Sequence, residues 1–225
     1  ESRNRLLEEM TSEVAHLVLE DNEAQTLALS IAEAGAGNAF PGHVRFMQAL
    51  ESRGRLDRAV EFLPDEREVE DRRRAGRGLT RPELAVLLSY AKMDLKDALM
   101  ACPLVEDPLL EPDLIGAFPG PMQGPYRAEI CRHQLRREII ATKLANSMVN
   151  RCGLTLAHSL SAELGVDLGR VAAAFVAARE LFGLSDLWDA IETARIAEAS
   201  RLSLYAEYAL AIRSLIADLA VRTGA

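Results

Sequence analysis

Cysteine is scarce in this 225-residue sequence: Cys102, Cys131 and Cys152 are odd in number and far apart. With no second Cys or His at ligand spacing, they read as reduced thiols of a cytosolic protein, and no metal is expected. Aromatic residues make up only 5%, and cationic charge is in deficit, with 26 Lys and Arg against 34 Asp and Glu. Non-specific nucleic-acid affinity comes from excess Lys and Arg neutralising phosphates, so a net charge of −8 excludes a general polyphosphate binder. No apolar run is long enough to span a bilayer, and the charged start ESRNRLLEE lacks the apolar centre of a signal peptide. A cytoplasmic protein without a membrane partner is expected. A chain starting Glu-Ser rather than Met further suggests a segment of something longer. Also missing are period-2 alternation of useful length and any internal repeat, which removes the sheet and solenoid classes.

Long tracts of Ala, Leu, Glu and Arg, all good helix formers, are what the sequence does contain. They predict an all-α fold, an irregular bundle of roughly eight to ten helices. The length suits one large domain or two small ones, and either can bury a core without staples. Thr11 is placed to cap a first helix carrying Val14, Leu17, Val18, Leu27 and Ile31, with Gly35 and Gly37 ending it. A second helix is expected over His43 to Arg53, and LDRAVEFLP reads as a short helix stopped by Pro64. In DEREVEDRRRAGRG, Glu68 with Arg72 and Glu70 with Arg74 fall at i,i+4 spacing, the pattern of a solvated, salt-bridged helix.

The clearest helix start is GLTRPELAVLLSYAK, where Thr80 and Glu83 form a T-x-x-E capping box and Pro82 sits in the first turn. Six of the nine prolines lie between Pro103 and Pro125, so 103–125 is the only plausible internal boundary in an otherwise single domain spanning 1–225. Its apolar residues, among them Leu110, Leu114 and Ile115, favour an ordered connection. A long helix is expected from Pro125 to Cys152, stopped by Gly153, followed by helices capped by Thr155, Asp167 and Ser185.

No catalytic, cofactor-binding or metal-binding residue stands out. Gly35-Ala36-Gly37 follows a helix and runs into Phe40-Pro41, unlike the strand-glycine-helix turn that holds a dinucleotide. The histidines His16, His43, His133 and His158 show no metal-ligand spacing, and no G-x-S-x-G surrounds a serine. More informative is HQLRREIIATKLANSMVNR, His133 to Arg151. On a wheel at about 100° per residue, Arg136, Lys143, Ser147 and Asn150 share one narrow sector while apolar residues fill most of the rest. Glu138, Thr142 and Asn146 climb one flank, and Arg137 sits among apolar positions. Charges so placed need partners, so Arg137, Glu138, Thr142 and Asn146 are expected to form a structural polar network within or between subunits. The same four positions leave open a ligand site along the strip.

Four stretches, RNRLLEEMTSEVAHLVLEDN, LDRAVEFLP, GLTRPELAVLLSYAK and HQLRREIIATKLANSMVNRCG, together resemble the C-terminal region of the large bacterial NAD-specific glutamate dehydrogenases. The resemblance implies a parent enzyme that converts L-glutamate, NAD and water to 2-oxoglutarate, ammonia and NADH. It implies catalytic and NAD-binding elements upstream of this segment, so the segment itself is expected to be inactive and without cofactor. Its expected partners are the upstream catalytic domain and further copies of the parent in a homo-oligomer. The competing expectation is an interaction module that holds an acidic partner or nucleic acid through Arg72, Arg73, Arg74 and Arg77, or through Arg132, Arg136 and Lys143.

Overall fold

The computed structural model describes residues 2–222, with side-chain surroundings from residue 7 onward; Glu1, where the expected helical lead-in begins, lies outside the described residues. Among these the fold is all-α. The helices are α1 (Ser2–Ala34), α2 (Ala36–Ser52), α3 (Glu66–Arg74), α4 (Arg81–Met100), α5 (Glu111–Ile115), α6 (Gly120–Gln123), α7 (Arg127–Cys131), α8 (Arg136–Cys152), α9 (Leu156–Leu164), α10 (Leu168–Phe182), α11 (Leu184–Thr193) and α12 (Glu198–Arg222). Two 3₁₀ turns, Pro103–Glu106 and Pro108–Leu110, stand between α4 and α5.

The core is built on α4 lying along α8 and on α10 lying along α12. Leu84, Leu87, Leu88, Leu95 and Leu99 of α4 are fully buried; they recur at spacings of three, four and seven, which is why one helix can present them as a continuous apolar face. Ala141, Leu144, Ala145 and Met148 answer from α8. On α10 the small residues Ala172, Ala174 and Ala178 alternate with Val171 and Phe175, and the alanines let α12 approach with Tyr205, Ile212 and Ile216.

Local signals explain several helix starts. Thr80 presents its backbone N–H and its hydroxyl to Glu83 Oε2 at 2.7 and 2.8 Å, and Asp167 Oδ1 accepts from the Arg170 N–H at 2.8 Å. Gly165 and Gly183 end α9 and α10 in the left-handed conformation that a Cβ would strain. At Gly78 the constraint is closeness: a Cβ there would stand 2.3 Å from the carbonyl oxygen of Ala36, so the turn into α4 can pass the start of α2 only as glycine.

Other local expectations are corrected. Thr11 lies inside the continuous α1, its hydroxyl donating to the Leu7 carbonyl at 2.8 Å, a bond that satisfies the side chain without ending the helix. Gly35 does separate α1 from α2, but Gly37 and Pro41 both lie within α2, which starts well before His43. LDRAVEFLP is a series of turns, because Asp57 Oδ1 takes the N–H groups of Ala59 and Val60 at 2.9 and 3.3 Å, and Phe62 adopts a positive φ of 54°.

The long helix expected from Pro125 is broken between α7 and α8. Arg132 and His133 close with tight bonds back to Glu129 and Ile130, and His133 Nδ1 then accepts the Leu135 N–H at 3.1 Å, offering the backbone an alternative to helix. Ser185 sits inside α11 rather than capping it, the N-cap being Gly183. Thr155 precedes α9 without a capping side-chain bond.

Candidate functional site

Helix α8 carries the strip expected to be polar. Arg137 reaches the 3₁₀ turn before α5: its Nη1 donates to Glu106 Oε1 at 2.6 Å and its Nη2 to the Met100 carbonyl at 2.9 Å. Arg136 pairs with the other Glu106 oxygen. One carboxylate thus gathers two successive guanidinium groups and fixes the connection after α4 against the start of α8. The Arg137 side chain is 40% exposed, so this is a half-solvated clamp rather than a buried charge. Thr142 donates to the Glu138 carbonyl of its own helix at 2.7 Å. Asn146 lines a cavity whose wall does not include Arg137, Glu138 or Thr142.

The other cations considered for binding are mostly engaged. Arg72 holds Glu83 through a two-pronged contact at 2.6 and 2.8 Å instead of pairing with Glu68, while Glu68 closes a capping box with Asp65. Burial alone would raise the Glu83 carboxyl, but Arg72 and Thr80 together hold it below its ordinary value. Arg73 and Arg74 both lean on Glu70 at 3.3 and 3.0 Å.

Two buried arrangements escaped the sequence reading. Asp94 of α4 is 3% exposed and receives Arg53 Nη2 at 2.9 Å, with Arg55 at 3.6 Å and His158 Nε2 at 3.5 Å. Burial pushes the His158 imidazole down to about 4, against the pull of Asp94 and with the help of Arg53. The second is Arg179 of α10, whose two terminal nitrogens grip Asp113 of α5 at 2.9 and 2.7 Å. This fork-to-carboxylate pair ties the proline-rich connection to the core.

Arg179 and Asp113 also stand in the wall of a cavity of about 540 Å³ between α1, α8, α10 and α11. Its lining is polar and of mixed sign, with Glu20, Asp21 and Glu23 on α1 facing Lys143, Asn150 and Arg151 on α8. A second cavity of about 570 Å³ lies between α1, α2, α9 and α12. Asn150 and Arg151 border both. His43, 3% exposed and lowered by burial to about 4, lines the second.

Cys152 beside it is buried, and burial pushes its thiol up to about 12, which makes it a poor nucleophile. No group of three or more His, Cys, Asp or Glu side chains that could hold a metal occurs among the described residues. None of their helices is long and apolar enough to cross a membrane.

Comparison with known proteins follows the same helices. The family described as glutamate dehydrogenase, C-terminal, matches residues 76–219, from the glycine turn before α4 into α12. An NAD-specific glutamate dehydrogenase of Pseudomonas aeruginosa is 43% identical over 190 residues, which is 84% of this chain and 12% of that protein. One from Halomonas elongata is 42% identical over the same length, and one from Mycobacterium tuberculosis is 37% identical over 206 residues, 91% of this chain and 13% of its own. The chain spans about an eighth of the length of these relatives. With its core helices α4 to α11 all inside the matched stretch, this chain belongs to the glutamate dehydrogenase C-terminal family.

Proposed function

We propose that this chain is a non-catalytic helical domain of an NAD-dependent glutamate dehydrogenase, the parent converting L-glutamate, NAD and water to 2-oxoglutarate, ammonia and NADH in the cytoplasm. The domain braces the upstream catalytic part and contributes to assembly of the parent as a homo-oligomer. The observation that carries this reading is the face of α1: Leu7, Val14 and Val18 lie in one stripe and remain 46–54% exposed. A stripe of large apolar residues on a long helix marks a surface that another protein element covers. The Arg136 and Arg137 clamp on Glu106 supports a structural role for that end of the strip, since it orients α8 within one chain.

Two measurements test this together. The isolated segment should show no glutamate-dependent reduction of NAD. In the full-length polypeptide, Val14→Glu with Val18→Glu should weaken assembly on size-exclusion chromatography and lower turnover. Turnover by the segment alone would overturn the non-catalytic assignment, and unchanged assembly and turnover in the double variant would overturn the bracing role.

A further inference from the structure

The polar sector of α8 opens on the first cavity. Lys143, Asn146, Ser147 and Arg151 stand at positions i, i+3, i+4 and i+8, all are half-buried, and all line the space of about 540 Å³. Asn146 and Ser147 make no side-chain hydrogen bond among the described residues, so their donors and acceptors serve what enters the cavity.

The charges around this space sort into pairs and a remainder. Asp113 is held by Arg179, Lys143 stands 4.0 Å from Asp21, and Glu20 leans on His16 at 3.0 Å. Arg151, Glu23 and Glu192 also line the cavity, and none of the three forms an ion pair among the described residues. A cation and two carboxylates thus share one space without meeting.

Helix α11 sets the distance between them. Ser185, Trp188 and Glu192 follow at i, i+3 and i+7, and all three line the cavity. Arg151 is fixed at the first end of this row: Ser185 Oγ lies 3.2 Å from its Nη1, and the Trp188 ring centre lies 5.5 Å from its guanidinium carbon. Glu192 follows Ser185 by two helical turns, about 10 Å along the axis. Held by a hydroxyl and an aromatic face, Arg151 has little rotamer freedom left to lose on binding, and its other N–H groups match a carboxylate. A lone anion there would face the acids of α1, and a lone cation at Glu192 would face Arg151 and Lys143. A molecule carrying both charges several bonds apart meets each with its opposite.

We propose that this cavity binds a zwitterion whose carboxylate and ammonium are separated by several methylenes, the carboxylate at Arg151 and the ammonium at Glu192.

The test uses the full-length polypeptide and three probes of one chain length, 6-aminohexanoate, hexanoate and hexylamine, with binding read by isothermal titration calorimetry. 6-Aminohexanoate should bind more tightly than either singly charged probe by about tenfold or more. Arg151→Gln should bring it to the level of hexylamine, and Glu192→Gln to that of hexanoate. Equal affinity for the three probes, or an advantage of the zwitterion that survives both variants, would overturn the assignment. Glu192 is exposed, so should Arg151→Gln unfold, Glu192→Gln decides alone. These are binding readouts, so they fail or succeed independently of whether the domain braces a glutamate dehydrogenase.

Discussion

Replacing Asp113 by Asn keeps the shape of the side chain and removes the charge that Arg179 holds through two hydrogen bonds of 2.9 and 2.7 Å. The two side chains are 18% and 11% exposed, so water can screen the pair only weakly. Burial alone would lower the affinity of Arg179 for its proton, and Asp113 and Glu180 together more than reverse this. Breaking a buried ion pair by removing one partner costs about 3–5 kcal/mol when the survivor is left alone. Here Arg179 keeps Glu180 at 2.8 Å, a carboxylate that is 46% exposed, and the Asn oxygen can still accept one bond, so a loss of about 2 kcal/mol is expected.

For a chain of this size that is a fall of about 4–8 °C in melting temperature. Urea unfolding followed by far-ultraviolet circular dichroism should show a lower midpoint with an unchanged slope. The companion variant Asp113→Leu with Arg179→Met removes both charges and should recover most of the loss, because the desolvation cost disappears with the attraction. A loss below about 0.5 kcal/mol in Asp113→Asn would place this pair with ordinary surface ion pairs and refute the claim that it fixes α5 to α10.

Gly78→Ala should cost about 2–3 kcal/mol of stability, since the new Cβ would overlap the Ala36 carbonyl at 2.3 Å and neither backbone can yield without moving α2; a change under 0.5 kcal/mol in the urea midpoint would contradict that packing. Leu88→Ala, at a site with no exposure, should cost about 2–5 kcal/mol by the same measurement. The imidazoles of His43 and His158 are both lowered to about 4 in the folded chain against 6.5 ordinarily. The unfolded chain therefore binds more protons between these values, and stability should fall as pH drops from about 6.5 toward 4. His43→Leu should flatten that part of the profile, and a midpoint independent of pH between 7 and 5 in the wild-type chain would show that the two rings are not buried as neutral groups.

Much of the fold was legible because its signals are local. The capping box of Thr80 and Glu83, the Asp167 cap and the glycines at the ends of α9 and α10 are each recognisable within a few residues. So is the Asp65-x-x-Glu68 box at the start of α3, which carries the same signature as Thr80-x-x-Glu83 and overlaps the i,i+4 ion-pair pattern of the same residues. The errors share a cause as well. Thr11 has the residue type of a cap but the backbone continues as helix on both sides, and the side-chain bond from Leu135 N–H to His133 Nδ1 that breaks the expected long helix leaves no trace in hydrophobic periodicity.

The sequence by itself determined the all-α class, the helix-start chemistry, and the need of the arginines in HQLRREIIATKLANSMVNR for partners, since each follows from side chains one to four residues apart. Only the tertiary structure decided which carboxylates answer them. Arg137 and Arg136 meet Glu106 some thirty positions away, Arg179 meets Asp113 across 66 positions, and Asp94 collects groups from α2's end and from α9. The two cavities are likewise decisions of packing: alanines at ordinary helical spacing become a wall only when α1, α2 and α12 converge, and the acids of α1 come to face Lys143 and Arg151 only because α1 lies along α8.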